Sequence, residues 1–362
     1  MDINFANKVV LITGASSGIG ETSAILFSKY DAKLVLVGRN ETNLLNVANR
    51  CEKERGLKPL AIVADLSTDE GCERTVKATL EHFGRLDVLV NNAAIGGPEG
   101  IENATMEKFD KLFNNNLRSV YNLTRLLVPA IIESKGNIIN ISSLAGIAVA
   151  ANNLPYGMAK AALTFFTRVT SVELAPKGVR VNTICPGITA TNFRPRMTGQ
   201  TAPEYQEWLK VAEQTIPMRK ACEAGDIANM VVFVASDNCK LVTGTTINVD
   251  GGMQFGDVYG FLRDKSDKSD KTDKSNKSDK KDKSDNTDNS NNSDKLDNSD
   301  NSDKLDNSDN SDKSNNSDKL DNSDNSDNSD KSDKSDNSDN SDISDKLDKS
   351  DNSDKSEKLG HL

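Results

Sequence analysis

Val9-Val10-Leu11-Ile12-Thr13 runs straight into Gly14-Ala15-Ser16-Ser17-Gly18-Ile19-Gly20, and the reading of this stretch decides the fold. A short, unbroken apolar run reads as a strand covered on both faces. Glycines set directly after it allow a tight turn and a close backbone approach to a pyrophosphate, which the free amides at the start of the next helix then bind. The position between strand and helix is what makes the cluster specific. Its spacing is Gly-x-x-x-Gly-x-Gly, not the commoner Gly-x-Gly-x-x-Gly.

Outward from that turn the alternation repeats. Strands are expected at Val9 to Thr13, Lys33 to Gly38, Leu60 to Asp65, Leu86 to Ala93, Asn137 to Ser143, Val179 to Cys185 and Thr246 to Asp250, and all but the last read as buried parallel strands. Cys72, Val76, Leu80 and Phe83 mark one amphipathic helix, while Phe109, Leu112, Phe113, Asn116, Val120, Leu123 and Leu127 mark a longer one. Asn116 is out of place on that apolar face, because a buried amide needs partners to offset its desolvation. Strict alternation implies an α/β fold. It is an open, doubly wound, mostly parallel seven-stranded sheet with helices on both faces and its ligand at the carboxyl ends of the strands.

The chain divides by composition into a single domain, residues 1–258, and a tail, residues 259–362, expected to be disordered. From Asp264 onward Asn-Ser-Asp and Lys-Ser-Asp triplets recur without an aromatic residue, and such a segment buries too little apolar area to offset chain entropy. It carries 29 acidic residues against 18 lysines, which leaves 27 basic and 26 acidic residues before it. The overall charge of −10 therefore belongs to the tail. A near-neutral body offers no electrostatic case for nucleic acid or membrane partners. The tail lacks the residue order of an EF-hand, and its regularity points to simple repeat expansion ahead of phosphorylation or recruitment of a basic partner.

Five widely spaced cysteines without a Cys-x-x-Cys pair, and only His82 and His361 as imidazoles, make a metal site or a disulfide framework unexpected. The first strand starts within ten residues of Met1, leaving no room for a signal peptide, and no apolar run approaches the ~18 residues of a membrane span. A cytoplasmic location is the expectation. The terminal Gly360-His361-Leu362 departs at its first residue from a peroxisomal tripeptide.

Tyr156-Gly157-Met158-Ala159-Lys160, with Ser143 thirteen residues upstream, carries the chemistry. A phenol and an ammonium four residues apart share one helix face, so the cation is expected beside the tyrosine oxygen, favouring its ionised form. A free phenol titrates near pH ~10, so one that trades protons near neutrality needs a cation close by.

On these residues the chain resembles the short-chain dehydrogenase/reductase family over essentially all of residues 5–256. The family's Thr-Gly-x-x-x-Gly-x-Gly, Asn-Asn-Ala, Tyr-x-x-x-Lys and Pro-Gly motifs stand here as Thr13 to Gly20, Asn91-Asn92-Ala93, Tyr156 to Lys160 and Pro186-Gly187. The resemblance implies a Rossmann-type domain with a catalytic set of Asn116, Ser143, Tyr156 and Lys160, Ser143 being preferred to Ser142 by its distance from Tyr156. It implies hydride transfer between a nicotinamide and the carbonyl or alcohol carbon of a small molecule. Ser143 would bond the carbonyl oxygen and Tyr156 would move the proton. Lys160 would lower the tyrosine pKa and hold the ribose, and Asn116 would hold a water linking Lys160 to solvent. The competing reading, an idle cofactor-binding or scaffolding protein acting through its tail, has no need of that intact set.

By the same resemblance the glycine turn binds the cofactor through Thr13, Gly14, Ser16, Ser17, Gly18, Ile19 and Gly20. Later strand ends add Asp65 with Leu66, Asn92 with Ala93, and Pro186-Gly187-Ile188 with Thr191, and Tyr156 and Lys160 complete the set. Asp65 resembles the family's acceptor for the adenine amino group, and Thr191 the residue that reaches the nicotinamide and pyrophosphate. Where a carboxylate would bind the ribose 2′-hydroxyl of NAD, the chain has Gly38-Arg39-Asn40. A guanidinium there can pair with a 2′-phosphate, so NADP(H) is expected over NAD(H). Ser17 stands where many NADP-using relatives carry a second basic residue.

Leu144 to Pro155 and Ile188 to Lys220, with Trp208 on a lid helix, are expected to line the substrate pocket. Arg194, Arg196, Arg219 and Lys220 read as solvated surface charge in preference to anion ligands. The overall pattern is similar to 3-oxoacyl-carrier-protein-reductase-like and carbonyl-reducing members, and the family resemblance implies a homodimer or homotetramer.

Overall fold

The computed structural model describes residues 2–149 and 151–256. The expectation made for residues 259–362 lies outside the described residues. The described strands are β1 (Val9–Thr13), β2 (Lys33–Gly38), β3 (Leu60–Val63), β4 (Val88–Asn91), β5 (Asn137–Ile141), β6 (Arg180–Pro186), the short β7 (Thr189–Ala190) and β8 (Cys222–Glu223), and β9 (Thr246–Val249). Helices run α1 (Gly18–Lys29), α2 (Glu41–Arg55), α3 (Asp69–Phe83), α4 (Met106–Phe113), α5 (Ser119–Ser134), α6 (Leu154–Leu174), α7 (Phe193–Thr198), α8 (Ala202–Glu213) and α9 (Ala224–Ala235).

Successive side chains on a strand point to opposite faces, so two cores form. Val10, Ile12, Leu36, Val90, Ile139 and Ile184 pack under α1, α2 and α9. Val9, Leu11, Val35, Leu89, Ile138 and Val181 pack under α3, α5 and α6. Seven strands form one sheet in the order β3-β2-β1-β4-β5-β6-β9, and β7 and β8 pair separately. All neighbours in the large sheet are parallel, including β9 against β6. In the large sheet the edge strands are the least covered: β9 has four partly exposed residues, and β3, expected to be buried, covers fully only Ile62 and leaves Val63 exposed. Strand order reverses between β1 and β4, the switch point at which a crevice opens beyond the carboxyl ends of the strands.

Four strands, β3, β4, β5 and β9, stop short of the expected carboxyl-terminal residue, β4 also starts two residues late at Val88, and β6 runs one residue later than expected at each end. Ala64-Asp65, Asn92-Ala93 and Ser142-Ser143 continue the runs of β3, β4 and β5 in sequence but leave the sheet and line the crevice. On α3 the buried stripe is Cys72, Thr75 and Thr79, with Val76, Leu80 and Phe83 only partly covered. Thr75 and Thr79 donate their hydroxyls to the carbonyls of Gly71 and Thr75, at 2.8 and 2.7 Å, so burial leaves no orphaned group. The longer expected helix is α4 running into α5 through one π turn, Asn114–Arg118, which contains Asn116. Such turns insert an extra residue into the helical ladder and recur at functional sites.

Candidate active site

The cofactor end is a backbone construction. Thr13 Oγ1, at the end of β1, accepts from the amides of Asn92 and Ala93 at 2.9 Å each, and Asn92 Nδ2 returns a bond to the Thr13 carbonyl at 2.9 Å. This lacing brings the β1 and β4 turns so close that a Cβ on Gly14, where φ is +65°, would lie 2.9 Å from Ala93 Cα. A Cβ on Gly20 would lie 2.4 Å from the Gly14 carbonyl oxygen. The first and third glycines are thus demanded by the protein's own packing. Ser17 sits at the N-cap of α1 in an extended conformation, and its side chain caps nothing.

A cleft of about 720 Å³ begins at this turn and runs to Tyr156. Ser16, Ser17, Gly18 and Ile19 line it with Asp65, Leu66, Asn92 and Ala93, and Pro186, Gly187, Ile188 and Thr191 form the facing wall. Thr13 and Gly20 are buried behind the surface, holding its shape. The set fits a dinucleotide: close backbone, free amides at the N-terminus of a twelve-residue helix, and an uncommitted serine hydroxyl. Arg39 also lines the cleft, its Nη1 3.8 Å from Asp65 Oδ2. Asp65 Oδ1 accepts from the amide and hydroxyl of Ser67 at 3.0 and 2.8 Å. Burial works to raise the Asp65 pKa, but the Ser67 bonds and the Arg39 guanidinium outweigh it and hold the carboxyl below its ordinary range.

Ser143 follows β5 in extended conformation and faces the cleft, its Oγ accepting from the Ala145 amide at 3.1 Å. The Ser142 hydroxyl is spent elsewhere, donating to the Lys160 carbonyl at 2.8 Å and lying 3.0 Å from Thr164 Oγ1. A Cβ on Gly146 would lie 2.7 Å from the Ala161 amide, so the turn bearing Ser143 rests directly on the backbone of α6. That contact sets Ser143 against Tyr156 one turn earlier on the same helix.

Tyr156 is half-buried, and burial pushes its hydroxyl up to about 12, against the opposing pull of the Ser143 hydroxyl. Lys160 is 2% exposed. Burial brings its pKa down to about 8, and Nζ donates to the Ile141 carbonyl at 2.8 Å. The ammonium lies 5.8 Å from the centre of the tyrosine ring. The Tyr156 shift therefore runs opposite to the expected lowering by the Lys160 cation. The Ile141 carbonyl takes the ammonium, and desolvation decides the tyrosine.

Asn116 is fully buried and clamps one residue, with Oδ1 accepting from Ile95 N at 2.9 Å and Nδ2 donating to Ile95 O at 2.8 Å. Those bonds satisfy the amide that looked anomalous on an apolar face, and they pin the loop after β4 to the π turn. Asn116 itself is set back from the cleft, which its neighbours Asn115 and Ser119 line.

The substrate end is made of side chains. Phe193 of α7 lies 6.0 Å from the Tyr156 ring, and a Cβ on Gly96 would meet Met197 and Phe193. Ala145, Ala148 and Val149 form the opposite wall. Arg194 corrects the expectation of solvated charge: it is half-buried, lines the cleft and lies 3.6 Å from the centre of the Trp208 ring on α8. Arg196 is exposed, and Lys220 pairs with Glu223 at 2.8 Å. Sequence reasoning discounted Arg194 because no periodicity signals a short helix folding back over a strand end.

The fold and the glycine turn place the protein in the doubly wound dinucleotide-binding class. A profile of the family described as enoyl-(acyl carrier protein) reductase matches residues 14–254. An uncharacterized oxidoreductase of Thermotoga maritima is 37% identical over 251 residues, 69% of this chain and 98% of the relative. Carbonyl reductase [NADPH] 2 of Sus scrofa is 33% identical over 254 residues, 70% of this chain and 98% of the relative. The structure of L-sorbose reductase from Gluconobacter frateurii, complexed with NADPH and L-sorbose, superposes with a TM-score of 0.66 at 32% identity, covering 70% of this chain and 99% of the other. The chain belongs to the short-chain dehydrogenase/reductase family and is an NAD(P)-dependent oxidoreductase. Among the described residues no helix is long and apolar enough to cross a membrane.

Proposed function

We propose that the protein interconverts a carbonyl compound and its secondary alcohol with NADP(H), and that Tyr156 is the acid/base. The observation that carries this reading is one continuous cleft with Arg39 at one end and Ser143, Tyr156 and Lys160 at the other. When bound, the nicotinamide supplies or accepts the hydride. Ser143 donates its hydroxyl to the substrate oxygen and steadies the charge that grows there. With a pKa near 12, Tyr156 is protonated at neutral pH and gives its proton to that oxygen in reduction. Lys160, lining the cleft between Ile141 and Tyr156, holds the ribose. Asn116 uses one donor and one acceptor on Ile95 and keeps one of each for a water on the path from Lys160.

Arg39 favours NADP because a guanidinium pairs well with a 2′-phosphate, which would compete with Asp65 for it. Met158, Phe165, Val169 and Val172 expose an apolar stripe along α6, beside Tyr121 on α5, and this face suits a homodimer or homotetramer. A cytoplasmic location fits this reading. Titration with NADPH and NADH, followed by nicotinamide fluorescence, is the test. The expected result is NADPH bound at least ~10-fold more tightly, with Arg39→Ala erasing the difference and leaving NADH affinity unchanged. NADH preference would overturn the cofactor choice, and binding of neither by folded protein would overturn the proposed reaction.

A further inference from the structure

Among the described residues lining the cleft, the charged side chains are Arg39, Asp65, Lys160, Arg194 and Arg196. The one carboxylate, Asp65, stands beside Arg39 at the cofactor end. The other end therefore presents cations alone, although residues 1–263 are close to neutral overall. Such a polarised cleft concentrates anions.

The two arginines at that end differ. Arg196 is exposed, and its Nε is spent on the Asn192 carbonyl at 3.1 Å. Arg194 is half-buried, with its guanidinium carbon over Trp208, 3.6 Å from the ring centre. Trp208 is itself stacked on Tyr205, with centroids 6.0 Å apart and planes 19° from parallel. Arg194 Nε donates to Gln200 Oε1 at 3.2 Å, and that oxygen also accepts from Thr198 Oγ1 at 3.0 Å. The guanidinium is thus fixed on two sides, yet among the described residues it forms no ion pair, and its terminal nitrogens have no hydrogen-bond acceptor. Burying a cation without a counter-charge is costly unless something else supplies the charge. Stacking on indole offsets part of that cost. Burial also holds the Arg194 pKa below its ordinary value, which reflects the same lack of compensation.

We propose that Arg194 is the substrate-recognition residue, and that the substrate is a carbonyl compound or alcohol bearing a carboxylate. The carboxylate pairs with the planar guanidinium fork while the reacting carbon lies against Ser143 and Tyr156. Phe193, adjacent in the chain and packed near the Tyr156 ring, keeps the span between the two groups short. With Arg196 exposed and its Nε spent on Asn192, Arg194 offers one planar fork, the geometry that pairs with the two oxygens of a carboxylate. The proposal rests on the oxidoreductase reading and specifies its substrate class.

The test compares wild type with Arg194→Gln, as full chains with saturating NADPH, on acetoacetate, levulinate and 5-oxohexanoate, each against its methyl ester. The expected result is that wild type favours the acid in at least one pair. Arg194→Gln then loses about 10- to 100-fold in kcat/KM on that acid, the range for a lost hydrogen bond to a charged group, and stays within about twofold on the ester. Arg194→Lys, which keeps the charge without the fork, falls between them and serves if the glutamine variant fails to fold. Equal acid-to-ester ratios in wild type and variant overturn the proposal, as does a matching loss of NADPH affinity, which would assign the guanidinium to the cofactor. Trp208 is the only tryptophan, so its fluorescence reports on this site without turnover. If none of the compounds reacts, quenching by the acids that is lost in Arg194→Gln upholds the site while the proposed reaction fails. Absence of acid quenching overturns the site itself.

Discussion

The two ends of the cleft are built by different means. At the cofactor end the working surface is backbone, held by Thr13, Asn92 and two glycines whose missing side chains let two turns touch. At the substrate end it is side chains, Phe193, Arg194 and Trp208, projected from short helices joined by loops. Backbone geometry tolerates almost no change in residue type, whereas a side-chain wall can be rebuilt one residue at a time. One scaffold can therefore keep a constant cofactor and vary its substrate. Lys160 sits at the junction, buried in the core and still lining the cleft.

The division is most sharply tested by Tyr156→Phe. Turnover should fall about 10³-fold while NADPH affinity stays within about twofold, as measured by steady-state kinetics beside a fluorescence titration. An equal loss of binding would mean the ends are not separable.

The junction is tested next, through stability. Lys160 titrates near 8 in the folded protein against an ordinary value of 10.5. Between those values the unfolded chain binds more protons, so this group adds stability as pH rises from about 8 and has added it fully above 10.5. Urea unfolding of wild type and Lys160→Met from pH 7 to 10.5 should show wild type gaining on the variant by about 3 kcal/mol. Tyr156, present in both, destabilises each alike as pH rises above its ordinary 10 toward 12. A difference that does not change with pH would show that the ammonium is not desolvated as its burial implies.

The smallest expected effect strikes the backbone end. Gly14→Ala places a Cβ against Ala93 at positive φ, and should cost about 2 kcal/mol in chemical denaturation and about tenfold in NADPH affinity. A fall in kcat at saturating cofactor with affinity unchanged would break the comparison from the other side.

Much of the fold was legible because strand signals are local. The runs at β1, β2 and β5 begin where the apolar pattern begins, and the glycine turn announces the strand–helix junction. The overruns at Ala64-Asp65, Asn92-Ala93 and Ser142-Ser143 have one cause: the chain keeps its sequence pattern after it has stopped pairing, and those residues turn into the cleft. Thr75 and Thr79 were passed over as core because a threonine's ability to satisfy its own hydroxyl within a helix does not show in hydrophobicity. Asn116 was visible as an anomaly, but its partner Ile95, 21 residues away, was not.

Sequence by itself determined the doubly wound class, the glycine turn and the presence of a serine, a tyrosine and a lysine at family spacing, since each is written in contiguous residues or fixed intervals. Tertiary structure alone decided where the Lys160 ammonium points, which way burial drives the Tyr156 pKa, and that Arg194 is held on Trp208 inside the cleft instead of lying in solvent. Those outcomes depend on desolvation and on contacts between segments distant in the chain, and neither quantity exists until the chain has folded.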